Sequence, residues 1–251
     1  MNEGQADSEA AKGHRTIDRV TQILEEVVYR PGIGFAELAR ALDAPKSSVH
    51  GFIRGLLAKG WLYEVDKRFY LGPAVYALTL ASGNIRAGHV TQADLDALHQ
   101  ESKMTVFLGV QAGDHLIYIG ESGTDAMTGF AARSNIRRRL IDTAGGKALL
   151  AIAPAGERDA YLRRQDGELV SEFLAQFPDI AKSGVARNFR HHGAQMALAS
   201  VVRDRAGKAV AVAILVGSTA EAEPRESRLR RILLKHVELW AQHVTTPREA
   251  L

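Results

Sequence analysis

Residues 35–71 constrain this chain more than any other stretch. Phe35, Leu38, Ala39 and Leu42 fall on one face of a short helix. Asp43-Ala44 makes a turn, and Pro45 suits the first position of the next helix, where its missing N–H costs nothing. In that helix Val49, Phe52, Ile53, Leu56 and Leu57 form an apolar stripe. Gly60 closes it. Two strands, Trp61–Val65 and Arg68–Leu71, then read as a hairpin about Asp66-Lys67. Upstream, Ile17, Val20, Ile23, Leu24 and Val27 mark a helix over Thr16–Tyr29, ended by Arg30-Pro31-Gly32. Two apolar stripes joined by so short a turn must cross and close on a third element. The outline is a winged helix-turn-helix, a shape that lays one helix in the major groove of DNA.

The other side of the second helix of the pair supports this. Ser47, His50, Gly51, Arg54 and Ala58 are small or polar, as a groove-entering face requires. Lys46, Ser47 and Ser48 sit at its N-terminal end, where unbonded N–H groups and the helix dipole favour phosphate. Arg54 can address guanine or phosphate. Lys67 and Arg68 at the hairpin tip can touch the backbone or minor groove. The bland alternatives are a solvated helix face and an ordinary hairpin tip. Charge decides little: residues 15–72 carry nine Lys or Arg against seven Asp or Glu, and the whole chain is only +3.

Residues 1–14 are polar with no apolar core and are expected to be a disordered tail, not a signal peptide. Residues 15–72 form the DNA-binding unit. Gly72-Pro73 breaks the wing, and Ala74, Val75, Ala77, Leu78 and Leu80 predict a linker helix over 73–83, apolar enough to want a second subunit. Residues 84–251 predict an α+β domain. Its helices run from Gly88 to Ser102, from Thr143, over Glu157–Arg163 and Leu169–Gln176, and over Arg225–Val244. Its strands are Met104–Gln111, His115–Gly120, Met127–Ala132, Val185–Phe189, Met196–Arg203 and Ala209–Val216. No apolar run is long enough to span a bilayer, and the absence of cysteine permits a reducing cytoplasm.

Three separated motifs resemble the IclR family of bacterial transcription regulators. They are Phe35-Ala36-Glu37-Leu38-Ala39-Arg40 with Ala44-Pro45-Lys46-Ser47-Ser48-Val49-His50; Tyr70-Leu71-Gly72-Pro73; and Thr143-Ala144-Gly145-Gly146-Lys147-Ala148-Leu149-Leu150-Ala151. The resemblance covers about residues 15–245. It implies a winged helix followed by a GAF-like effector-binding domain, in dimers or tetramers on palindromic operators. It also implies an effector pocket at Met127 and Phe130, at Thr143, Ala144 and Gly145, at Gln195 and Ala197, and at Ile214 and Val216. An acidic residue of some members falls at Arg187 or Asn188. Two departures stand out. Gly51 replaces an arginine common in the family, and the Gly-x-x-Cys-Ile-Ala-Ala-Pro-Val pattern is degraded to Gly193–Val202. Small-acid sensors in the family carry hydroxyls or thiols where this chain is apolar or aromatic. The expected effector is therefore a small aromatic or apolar, acid-like molecule, with Phe130 stacked on it and the N–H groups of Thr143–Gly146 at its acidic end.

Enzyme chemistry finds no foothold. Gly145-Gly146-Lys147-Ala148 fails as a phosphate loop because Ile141 and Ala148 replace the required glycine and Ser or Thr. Gly32-Ile33-Gly34 has Glu37 where a dinucleotide fingerprint needs glycine, and Gly120-Glu121-Ser122-Gly123 has the wrong spacing for a nucleophile elbow. His191-His192 is the best metal candidate, yet adjacent histidines rarely share a face, so neither metal nor cofactor is expected. Arg137-Arg138-Arg139 reads as a solvated loop. The expected protein is a cytoplasmic, ligand-responsive repressor. Its rivals are an enzyme-like small-molecule-binding domain and a winged helix used for protein contacts.

Overall fold

The structure, a computed structural model, describes residues 14–82, 90–123 and 137–242. The chain divides into two compact units between Gly83 and Asn84.

In the first unit, α1 (Arg15–Tyr29), α2 (Phe35–Ala41) and α3 (Lys46–Ala58) surround one core. Ile23 and Val27 from α1 meet Leu38 of α2 and Val49, Ile53 and Leu56 of α3. Each such side chain contributes about 1.5–3 kcal/mol when fully buried. The stripes read from the sequence are thus the faces that pack, except that Ile17 at the start of α1 is exposed. Pro45 stands one residue earlier than expected, as the residue preceding α3. The wing, β2 (Leu62–Val65) and β3 (Arg68–Leu71), turns at Asp66 and Lys67 with φ of 50° and 59°. Positive φ at both central residues matches the twist of the flanking strands. A third strand, β1 (Ile33–Gly34), pairs with Phe69 and Arg68. Two residues are too few to show a period, so the sequence pattern does not disclose it. Gly72 follows the wing. A Cβ there would lie 2.1 Å from the Gly60 carbonyl oxygen, so only glycine allows these two segments to meet. Helix α4 (Pro73–Ser82) comes next, with Leu78 exposed.

In the second unit, six antiparallel strands run in the order β6-β5-β4-β9-β8-β7. They are β4 (Thr105–Ala112), β5 (His115–Ser122), β6 (Arg137–Arg139), β7 (Val185–Arg190), β8 (Gln195–Arg203) and β9 (Ala209–Ser218). Both faces are covered, so β9 is apolar almost throughout. Ala211, Ala213 and Leu215 face α5 (Gln92–Ser102) and α10 (Glu226–Ala241). Val212 and Ile214 face the other way, onto α6 (Ala144–Ile152), α7 (Ala155–Leu162) and α8 (Gly167–Ser183). A short α9 (Thr219–Ala222) links β9 towards α10.

Three local expectations change. Helix α5 begins at Gln92, where Thr91 caps it by accepting from Asp94 N–H. Helix α8 does not stop at Gln176; it runs through Pro178 to Ser183. Pro178 removes one N–H, but Phe173 and Ile180 are buried on either side of it, and their packing carries the helix across. Arg137–Arg139 is not a loop but a strand paired with His115–Ile117. The expected strand Met127–Ala132 lies outside the described residues, as do the tail before His14 and the end of the last helix beyond Gln242.

Helix α10 is fastened to the β7 edge through Glu226. Its carboxylate accepts from Arg230 Nε at 2.8 Å and Arg187 Nη1 at 2.9 Å. Burial raises its pKa, and the hydrogen bonds from Arg230 and Arg187 outweigh that, so the net value falls below the ordinary 4.5. A carboxyl depressed in the fold stabilises above its ordinary pKa, and that stability is lost as pH falls through the folded value. The stability difference between wild type and Glu226→Gln should therefore shrink as pH drops below about 4.5, read by thermal melts across an acid series.

Candidate functional site

The first unit presents a polar surface on α3. Val49, Ile53 and Leu56 are buried, whereas Lys46, Ser47, Ser48, His50, Gly51 and Arg54 are all exposed. No side chain caps the N-terminus of α3. The Ser48 N–H donates to the Pro45 carbonyl at 3.0 Å, and helix N-termini in general favour phosphate oxygens. A Cβ on Gly51 would meet nothing within 4 Å, so packing does not require the glycine there. The His50 ring sits edge-on to Phe35, 6.0 Å between centroids, which limits its swing. At the wing, Lys67 is exposed at the tip. Arg68 is engaged differently from expectation: its Nη1 donates to the Gly32 carbonyl at 2.8 Å and ties the wing to the α1–α2 junction.

The second unit has a cleft on the sheet face that carries α6. Thr143, Ala144, Asn188, Gln195, Ala197, Ile214 and Val216 line it, all expected from sequence. Its free volume is about 40 Å3. That is well below the roughly 300–1,000 Å3 of small-molecule pockets, so a bound molecule must part the side chains of the lining. Period-2 alternation explains the membership. Ile214 and Val216 are two apart on β9, and Ala197 pairs with both Val216 and Asn188 across the sheet. Met127 and Phe130 lie outside the described residues.

Two expected residues point elsewhere. Arg187 neighbours Asn188 on β7 and so faces the opposite side of the sheet, where it pairs with Glu226 and lies over the Phe189 ring. Of the two positions left open, Asn188 is the one in the cleft. Gly145 packs behind it; a Cβ there would come within 2.9 Å of Leu116 and 3.0 Å of Val212. The amides around Thr143 are also partly committed. Gly146 N–H donates to Thr143 Oγ1 at 3.0 Å and Lys147 N–H to the Thr143 carbonyl at 2.9 Å.

Four lining residues were not foreseen: Phe107, Tyr118, Arg138 and Arg190. Phe107 and Tyr118 are neighbouring rings, 5.3 Å between centroids. Arg138 is buried, its guanidinium 6.0 Å from the Tyr118 ring. Burial pushes the Tyr118 phenol up, while the positive charges of Arg138 and Arg190 pull against that. No Asp or Glu is among the described lining residues. Behind it, Lys147 is 2% exposed. Its Nζ donates to Asn188 Oδ1 at 2.7 Å and to Glu172 at 2.6 Å, while Asn188 Nδ2 donates to the Asp142 carbonyl. Lys147 is thereby paired in the core and fixes which way the Asn188 amide faces. Among the described residues no cluster of His, Cys, Asp or Glu could hold a metal, and His191 and His192 occupy a hairpin tip, both with positive φ.

Comparison with known proteins places both units. The model of the IclR helix-turn-helix domain matches residues 16–66, and that of the bacterial transcriptional regulator IclR C-terminal region matches residues 78–246. A curated relative, the HTH-type transcriptional regulator BhcR of Paracoccus denitrificans, is 27% identical over 176 residues. The match takes in 68% of this chain and 62% of that protein, so the chain spans under two thirds of the relative's length. Among solved structures, an IclR family transcriptional regulator from Brucella abortus superposes with a TM-score of 0.69 at 18% identity, covering 96% of this chain and 97% of that one. An IclR homologue from Microbacterium hydrocarbonoxydans, complexed with 4-hydroxybenzoate, gives 0.69 at 18% identity, covering 90% and 98%. The Thermotoga maritima IclR gives 0.62 at 20%, covering 91% and 98%.

Proposed function

The chain belongs to the IclR family of bacterial transcriptional regulators, a family of regulators and not of enzymes, and from that premise we propose how its two units divide the work. The first unit binds double-stranded DNA by laying α3 in the major groove. The observation that carries this reading is the exposed set Lys46, Ser47, Ser48, His50, Gly51 and Arg54 on the face opposite a buried stripe. Lys67 at the wing tip meets the backbone, and Arg68 holds the wing in place. One such unit reads few base pairs, so a homodimer or tetramer on a palindromic operator supplies the specificity. Among the described residues no helix is long and apolar enough to cross a membrane. The protein works in the cytoplasm as a repressor.

The second unit senses a small aromatic or apolar acid in the cleft lined by Tyr118, Ile214 and Arg138. The homologue solved with 4-hydroxybenzoate shares the fold, and the arginines and aromatic rings of the cleft lining have the chemistry to take an aromatic acid. The acidic end meets guanidinium groups in addition to the α6 N-terminus, because the Gly146 and Lys147 amides are already bonded. Ligand acts only through unequal affinity for DNA-competent and DNA-incompetent arrangements.

A mobility shift on the promoter upstream of the chain's own gene tests the whole reading. The expected result is a complex that an aromatic acid weakens and that unrelated DNA does not compete away. No complex on any nearby promoter would remove the DNA-binding function. A clear preference for glyoxylate-sized acids over aromatic ones would remove the effector class. Equal ligand affinity for free and promoter-bound protein would exclude the coupling.

A further inference from the structure

The cleft uses Gln195 and Ala197 of β8, and a second hollow opens at the other end of the same strand. Its floor is apolar: Ala148 and Ala151 of α6, Ile180 of α8, Val201 of β8, and Val237 and Ala241 of α10. Strand lengths make the gap. β7 starts at Val185, which pairs with Ser200. Val201, Val202 and Arg203 therefore have β9 on one side and, among the described residues, no strand on the other. The helices end around this step without filling it. The groove holds about 640 Å3 of free volume, against about 40 Å3 in the cleft. An apolar groove of that size left to water is a place where something binds.

Where α10 stops indicates what covers it. Ala241 is the last residue of that helix and lies in the groove wall. The next carbonyl, that of Gln242, accepts from Arg205 Nη2 at 2.8 Å, in the turn that follows β8. The chain is thus delivered at the mouth of the groove. Residues 243–251, which lie outside the described residues, come next. At about 3.5 Å per residue they can reach about 30 Å. Their chemistry matches the groove. Val244, Ala250 and Leu251 suit its floor. Arg248 and Glu249 complement Glu238 and Arg203, the two charged residues of the lining, both exposed. Arg203 donates Nη1 to the Gly207 carbonyl at 2.8 Å and keeps further N–H donors for a carboxylate.

We propose that residues 243–251 turn back into this groove, with Arg248 at Glu238 and Glu249 at Arg203. The occupant is the chain's own continuation, and its tether makes weak contacts sufficient. A short link holds a segment at a millimolar effective concentration. The groove is separate from the cleft, so the reading stands or falls independently of the effector.

The test is disulfide trapping in the full chain, which has no cysteine of its own. Ala181→Cys, exposed on the groove wall, is combined in turn with Val244→Cys, Thr246→Cys and Ala250→Cys. The control pairs the same three positions with Lys208→Cys, exposed in the turn that holds Gln242 and outside the groove lining. A segment with no preferred seat would reach the control at least as readily. At least one groove pair should close within the chain about tenfold or more faster than its control. Glu238→Lys should cut that advantage to within about threefold, and adding Arg248→Glu should restore it. Groove and control pairs that close equally fast at all three positions overturn the proposal. A disulfide that joins two chains also overturns it and assigns the groove to a second copy. An advantage that Glu238→Lys leaves unchanged overturns the seating of Arg248.

Discussion

Replacing Ser47, His50 and Arg54 together with alanine is expected to weaken promoter binding by about 100-fold or more and to leave the fold intact. Base-edge contacts are worth roughly 1–3 kcal/mol each, so losing all three removes at least about 3 kcal/mol, above the roughly 2.8 kcal/mol of a 100-fold change. Stability should hold because all three side chains are exposed and none has a place in the core of the first unit. The largest packing loss is the edge contact of His50 with Phe35, worth about 0.5–1.5 kcal/mol. Alanine is also the best helix former, which offsets part of it. Fluorescence anisotropy across a salt series, with circular dichroism as the check on folding, separates the outcomes. Loss of the arginine should flatten the dependence on salt by about one counterion if it touches phosphate, and leave the slope unchanged if it reads a base. A folded variant that binds its promoter as tightly and selectively as before would show that this face does not meet DNA.

The second large effect concerns Gly146. A Cβ there would lie 2.0 Å from the Leu140 carbonyl oxygen and 2.3 Å from the Leu140 Cα, both backbone atoms of the turn that enters α6. Backbone cannot swing aside as a side-chain end can. Gly146→Ala should therefore force the turn away from the helix, break the Thr143 cap on the Gly146 N–H, and cost about 3–5 kcal/mol. For a unit of this size that lowers the melting temperature by about 10 °C. The same substitution at Gly51, where a Cβ meets nothing, should stabilise by up to about 1 kcal/mol. Differential scanning calorimetry of both variants puts the two signs side by side. A Gly146→Ala protein that melts like wild type would mean the turn yields far more easily than its geometry implies.

The same contrast shows what could be read from the sequence. The winged helix was legible because each of its stripes has a strong period and buries the face that the period marks. The cleft was legible where the family motif reached it, at Thr143, Ala144, Asn188, Gln195, Ala197, Ile214 and Val216. Arg187 failed because one residue of register on a strand exchanges the two faces of the sheet. Gly145 packs behind the cleft because a position facing it and a position behind it share the same local motif. Phe107, Tyr118 and Arg190 were hidden in ordinary strand alternation, where nothing local tells which face bears a cavity. Arg138 was hidden by its own neighbours, since three successive arginines look like solvated surface. The Leu140-Ile141 pair that follows, both buried, was the available sign that the chain was already entering the core.

That short arginine strand has one more outcome. β6 is the last described strand on its side of the sheet, and a bare strand edge invites another protein's strand to zip onto it. Alternation turns Arg137 and Arg139 away from the face that Arg138 occupies, and Arg139 is paired there with Asp142. Charged side chains beside a strand edge disfavour such pairing, so a Thr-Arg-Thr version of the segment is expected to be the more aggregation-prone protein on storage.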